Sequence, residues 1–126
     1  MVVKLREVLI DIKDGLDVME KWGFRYITNV VWAKDRFGIG YYFRGQHELC
    51  LFGVKGTLKP RVRNESTLIT AKRSKHSKKP EEMYRKIEAL SHEPRIELFA
   101  RTNREGWDSW GNEVNDGQQT LERFFV

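Results

Sequence analysis

The sequence is poor in the residues that staple small folds or hold metals. It has one cysteine, Cys50, three histidines and three prolines in 126 residues. A single thiol cannot close an internal disulfide, which excludes a disulfide scaffold and fits a reducing compartment. His47, His76 and His92 lie far from one another and from Cys50, so no metal site is expected. No apolar run reaches the roughly 20 residues that span a bilayer, and no apolar stretch near Met1 leads to a small-residue cleavage site. The expectation is a cytoplasmic chain (nuclear in a eukaryote) with no membrane partner. Motifs for covalent or phosphate chemistry are missing too: there is no GxSxG, no P-loop and no interpretable pair of carboxylates.

Charge and aromatic residues are plentiful. Charged residues make up 33% and aromatic residues 12% of the chain, and the net charge is +5. The aromatic content argues for a folded chain, and the length suits a single domain over residues 1–126. The positive charge is concentrated. From Lys55 to Lys86 there are eleven Lys or Arg against three acids, Glu65, Glu81 and Glu82. Such a window allows an anionic partner such as nucleic acid without requiring one.

Periodicity orders the elements. Leu5, Leu9, Ile12, Leu16 and Met19 share one helical face, predicting a helix from Leu5 to Trp22 that ends at Gly23. Phe24 to Ala33 is rich in β-branched and aromatic residues and reads as a strand. Lys34 to Gly38 breaks it, and a glycine- and aromatic-rich loop runs from Gly38 to Gly45. His47 to Val54 is almost continuously apolar, as in strands buried on both faces, with Cys50 as a small buried hydrophobe and Gly53 and Gly56 marking its exit. A basic connection, a short strand over Ser66 to Ala71 and a polar loop over Lys72 to Lys79 follow. Pro80 opens a second helix, with Glu81 and Glu82 in its first turn and an apolar stripe of Met83, Ile87 and Leu90. Arg95 to Ala100 is the fourth strand, and Arg101 onward reads as loop. Helices alternating with strands imply an α/β fold, helices packed on a small sheet.

Four stretches could carry chemistry. The end of the fourth strand, Glu97-Leu98-Phe99-Ala100-Arg101-Thr102-Asn103, stands where α/β sheets bind ligands, and Arg101 and Asn103 offer donors suited to ribose hydroxyls. The same residues also make an ordinary surface loop. Gly106-Trp107-Asp108-Ser109-Trp110-Gly111-Asn112-Glu113 could reach a nucleoside or only pack and cap a turn. Lys72-Arg73-Ser74-Lys75-His76-Ser77-Lys78-Lys79-Pro80 leads into a helix N-terminus and could bind an anion or stay a solvated loop. His47 and Glu48 are strand neighbours facing opposite ways, so they form no acid–base dyad.

Taken together, six segments resemble the MT-A70 family of adenine methyltransferases. They are Val18 to Phe24, Asn29 to Lys34, Gln46 to Leu49 with Gly53, His76 to Tyr84, Glu97 to Arg101 and Gly106 to Val114. The resemblance implies a partial Rossmann-like methyltransferase fold with permuted motif order and S-adenosylmethionine as cofactor. On that likeness Phe99, Arg101, Asn103, Asn112 and Glu113 would lie near the cofactor's adenosine, and Lys79 near its methionine carboxylate. Lys72 to Lys79, with Arg73, Lys75, His76 and Lys78, would form a gate over the target adenosine, and Glu48 would lie beside it.

One family element is missing. The catalytic Asp-Pro-Pro-Trp occurs nowhere, since the prolines are Pro60, Pro80 and Pro94. An exocyclic amine is a poor nucleophile whose lone pair is delocalised into the ring, so alignment and hydrogen bonding to that amine are what such an enzyme supplies. No catalytic residue is therefore assigned. The expectation is a truncated chain acting on DNA or RNA, inactive alone, that retains the cofactor half and takes the motif from a second chain. The alternative is a non-catalytic nucleic-acid-binding or partner-scaffolding remnant. A third reading is a relic with no activity, whose missing strands leave an exposed sheet edge that invites a homodimer.

Overall fold

A period of about 3.6 in the apolar residues makes α1, Ile12–Lys21. The computed structural model describes residues 12–57, 59–73 and 79–111, so the expected first turns from Leu5 lie outside the described residues. Met19 is the most deeply buried side chain, at 1% exposure, and packs with Leu16, Phe24 and Leu51. Ile12, expected on the same face, is instead 56% exposed, because the described packing involves only the far half of the helix. Gly23 ends α1 as predicted, with a φ of 82° that glycine adopts without steric cost. Its N–H donates to the Glu20 carbonyl, and that of Phe24 donates to the Met19 carbonyl. With the Phe24–Met19 contact, this is a complete Schellman stop.

Beyond the stop the chain enters β1, Arg25–Ala33, and returns as β2, His47–Val54. The two are antiparallel, with a bulge at Ile27 that leaves this side chain 53% exposed. β3, Leu68–Thr70, lies on the other edge of β1 and runs parallel to it. The sheet order is β2-β1-β3. Cys50 and Leu51 are adjacent and both buried, so β2 is covered on both faces as its apolar run predicts. Gly53 does not mark the exit of β2 but sits buried within it. A Cβ there would lie 2.1 Å from the Met19 Cε, so the glycine makes room for the methionine.

Pro80 holds the extended backbone at the start of α2, Glu81–Leu90, which buries Met83 and Ile87. The Lys86 ammonium donates to the Ser66 carbonyl and pairs with Glu65 at 3.1 Å, tying α2 to the lead-in of β3. The Arg61 N–H donates to the Leu90 carbonyl at the helix's other end.

A second compact unit begins at His92 and holds β4, Ile96–Leu98, and β5, Asp108–Trp110, which are parallel. β5 corrects the reading of Arg101 onward as loop. It is three residues long between Gly106 and Gly111, and its strand character comes from pairing with β4 rather than from its own composition. The described residues thus make a small α/β structure of two helices, a mixed three-stranded sheet and a parallel two-stranded sheet.

Met19→Ala should cost about 2–5 kcal/mol of unfolding free energy by urea titration, as expected for truncating a fully buried side chain. Ile12→Ala should stay within about 0.5 kcal/mol of the parent. Equal losses at both positions would show that the α1 face is packed along its whole length.

Candidate functional site

In the first unit the polar residues gather where β1 and β3 end and β2 begins. Parallel strands bring their carboxyl ends to one edge, and the antiparallel β2 brings its first residues there. Glu48, the second residue of β2, receives two lysines. The Lys79 Nζ lies 2.8 Å from its Oε1 and the Lys34 Nζ 3.3 Å from its Oε2, and all three side chains are at most 14% exposed. Lys34 also stands over the Trp32 ring, 4.9 Å from its centroid. The Trp32 indole N–H donates to the Ala71 carbonyl at 2.8 Å, which fixes the exit of β3 against β1. In this low-dielectric setting the pairs are shielded from salt, and removing one partner would leave a poorly solvated charge.

Asp35, one residue beyond Lys34, meets the chain leaving β3. The backbone N–H of Arg73 donates to its Oδ1 at 3.0 Å. That bond is the chief reason the Asp35 carboxyl lies below its ordinary value of 3.8; desolvation opposes it, and the Asp35 backbone N–H and the Arg36 and Arg73 charges add to it. Of the expected gate residues, Arg73 is thereby tied to the strand end, and Glu48 and Lys79 are joined in one ion pair. Lys75, His76 and Lys78 lie outside the described residues. Lys34, Trp32 and Asp35 also belong to this cluster, although the sequence marks Trp32 and Lys34 only as part of the family-like segment Asn29 to Lys34 and Asp35 only as part of the break after a strand. The available signal was a run of charged residues directly after a strand's carboxyl end.

The second unit presents its own strand ends. β4 and β5 are parallel, so Phe99 to Arg101 and Gly111 leave the sheet at the same edge. Phe99 has a φ of 58°, rare for a side chain with a Cβ, and its ring meets Trp110 edge-on at 5.3 Å while remaining 58% exposed. The Ala100 N–H donates to the Trp110 carbonyl, which ties the chain two residues past β4 to the last residue of β5. A Cβ on Gly111 would lie 2.6 Å from the Ala100 carbonyl oxygen, so only glycine admits this close approach. Arg101 is half-buried and Asn103 exposed. Asn112 and Glu113 lie outside the described residues but directly follow Gly111 in the chain. Among the described residues no group of His, Cys, Asp and Glu could hold a metal, and no helix is long and apolar enough to cross a membrane.

Because its folded value is depressed, the Asp35 carboxylate adds stability that is complete above about pH 4 and is lost as pH falls through the folded value. An NMR titration should find Asp35 below the ordinary aspartate value, and Asp35→Asn should remove this part of the acid sensitivity. A titration at the ordinary aspartate value would refute the Arg73 contact.

Comparison with known proteins matches the MT-A70 family model to residues 9–113. A type II methyltransferase, M.MunI from a Mycoplasma species, is 40% identical over 106 residues, which is 79% of this chain and 44% of that protein. An MT-A70-like N(6)-adenosine-methyltransferase from Arabidopsis thaliana is 32% identical over 112 residues, 80% of this chain and 16% of the relative. The human N(6)-adenosine-methyltransferase catalytic subunit METTL3 is 33% identical over 122 residues, 86% of this chain and 20% of that subunit. The chain thus spans less than half the length of each of these relatives. A match running from α1 through β5 covers both groups of strand ends, and on it the chain belongs to the MT-A70 family of methyltransferases.

Proposed function

We propose that this chain contributes S-adenosylmethionine binding and target recognition to an adenine methyltransferase acting on DNA or RNA, within a Rossmann-like domain of permuted motif order. The observation that carries this reading is the edge shared by parallel β4 and β5, where Phe99, Ala100, Arg101 and the Cβ-free Gly111 leave the sheet together. Such an edge suits a nucleoside. The exposed Phe99 ring offers a face for a purine, Arg101 and Asn103 offer donors for ribose hydroxyls, and Asn112 and Glu113 add an amide and an acceptor. The missing Cβ at Gly111 keeps the backbone cradle narrow. These residue types fit the adenosine part of S-adenosylmethionine, which when bound supplies an electrophilic methyl group.

In the first unit, Glu48 with Lys34 and Lys79 forms a fixed polar platform at the carboxyl ends of β1 and β3. Its role in this proposal is to meet the target adenine, with the segment from Lys72 to Lys79 closing over it. The Asp-Pro-Pro-Trp motif, whose Asp would accept a hydrogen bond from the target amine, is absent from the 126 residues. Turnover therefore requires that motif from outside these residues, in the same or a second polypeptide.

By calorimetry the chain should bind S-adenosylmethionine, and Arg101→Ala should weaken binding by about tenfold or more, the usual cost of losing a charge-assisted hydrogen bond. Gly111→Ala should weaken it as well, with the first unit's stability unchanged. The 126-residue polypeptide alone should transfer no labelled methyl to adenine-containing oligonucleotides. An absence of heat at millimolar cofactor, or identical isotherms for the parent and Arg101→Ala, would remove the cofactor reading. Binding of oligonucleotides without cofactor binding would favour the non-catalytic alternative, which the basic window from Lys55 to Lys86 supports.

A further inference from the structure

Residues 34–46 join β1 to β2, and their two ends are closed on each other. The Lys34 N–H donates to the Gln46 carbonyl, and the Gln46 side-chain amide donates back to the Lys34 carbonyl at 3.2 Å. Further out, the Gly38 N–H donates to the Gly45 carbonyl, and the Arg44 side chain donates to the Gly38 carbonyl at 3.3 Å while lying over the Phe37 ring. The tip beyond this pinch buries almost nothing. Ile39, Tyr41, Tyr42 and Phe43 are each at least 86% exposed.

The backbone maintains that display at a cost. Tyr42 has a φ of 61°, in the left-handed region that tyrosine rarely occupies. A Cβ at Gly40 would lie 2.1 Å from the Phe43 carbonyl oxygen, so the tip closes only with glycine there. A tight, strained turn whose aromatic rings all face water calls for a ligand to cover them. Cations flank the rings. Arg36 is 70% exposed on one side and Arg44 is exposed on the other. The loop springs from the edge that carries Lys34, Asp35 and the Arg73 backbone.

We propose that this tip is a stacking platform for single-stranded nucleic acid, taking unpaired bases on Tyr41, Tyr42 and Phe43 and the adjoining phosphates on Arg36 and Arg44. The assignment rests on the proposed action on DNA or RNA and names the surface that would hold the strand beside the target base. Three consecutive rings flanked by two arginines on one projecting turn offer stacking faces for bases and a cation on either side for the adjoining phosphates of a single strand. An apolar protein groove would use the rings and leave the arginines unengaged, whereas a nucleic acid uses both.

The test uses the full chain and a fluorescein-labelled twelve-nucleotide single strand, as DNA and as RNA, followed by anisotropy over a range of salt. The triple variant Tyr41→Ala, Tyr42→Gly, Phe43→Ala keeps a residue that tolerates the left-handed position, and its fold is checked by circular dichroism. It should bind about tenfold or more weakly, given the usual contribution of a base–aromatic stack. A 2-aminopurine in the strand should be quenched by the parent and not by the triple variant. Arg36→Gln with Arg44→Gln should flatten the salt dependence by about 1.4, roughly 0.7 for each phosphate that an arginine no longer neutralises. If the parent binds and the triple variant binds equally well, the platform is overturned while the functional reading stands. If the parent binds no oligonucleotide, the nucleic-acid reading fails and the platform with it. A triple variant that changes only the oligomeric state would make the tip a protein contact and overturn the proposal.

Discussion

The central strand β1 is the constraint on which the first unit depends. Among the described strands it alone is hydrogen-bonded along both edges, to an antiparallel β2 and a parallel β3. A strand paired on both sides cannot slip by one residue without reversing every side chain's face, so its register sets where each neighbour ends. Trp32 and Lys34 fall where they do because of that register, one buried within the strand and one just past its end. The Schellman stop at Gly23 feeds the strand from one end, and the Asp35–Arg73 contact closes it at the other. The polar platform is thus a product of backbone pairing more than of local loop structure.

Charge is used there in an economical way. Glu48 is shared by two lysines from different parts of the chain, Lys34 next to β1 and Lys79 next to α2. Partly buried ion pairs add little net stability, because desolvation offsets attraction. Their value lies in position: the carboxylate fixes where the segment before α2 must return to the sheet.

Much of the fold was legible in the sequence where one signal dominated. The apolar run His47 to Val54 matched the limits of β2, and Pro80 with two glutamates marked the start of α2. Signals failed where tertiary contact decided the outcome. Gly53 looked like punctuation because nothing in its neighbours announces that Met19, from another element, occupies the space of its missing side chain. β5 looked like loop because three residues between glycines have no periodicity of their own. Glu48 and Lys79 are both legible as candidate site residues, but nothing in the sequence shows their pairing across 31 residues, and Lys34 and Asp35 read as the break after a strand, with Lys34 also closing a family-like segment. The candidate cofactor edge was legible through the resemblance rather than through chemistry, since Arg101 and Asn103 would suit any polar turn.

The closure of residues 34–46 on themselves has an evolutionary consequence. Because Lys34 and Gln46 seal the base of the connection, everything beyond them can lengthen, shorten or change sequence without disturbing the β1–β2 ladder. The scaffold and its tip are therefore free to evolve at different rates. A lineage could trade one set of exposed side chains for another, and with it one partner for another, while the strands that carry the polar platform stay as they are.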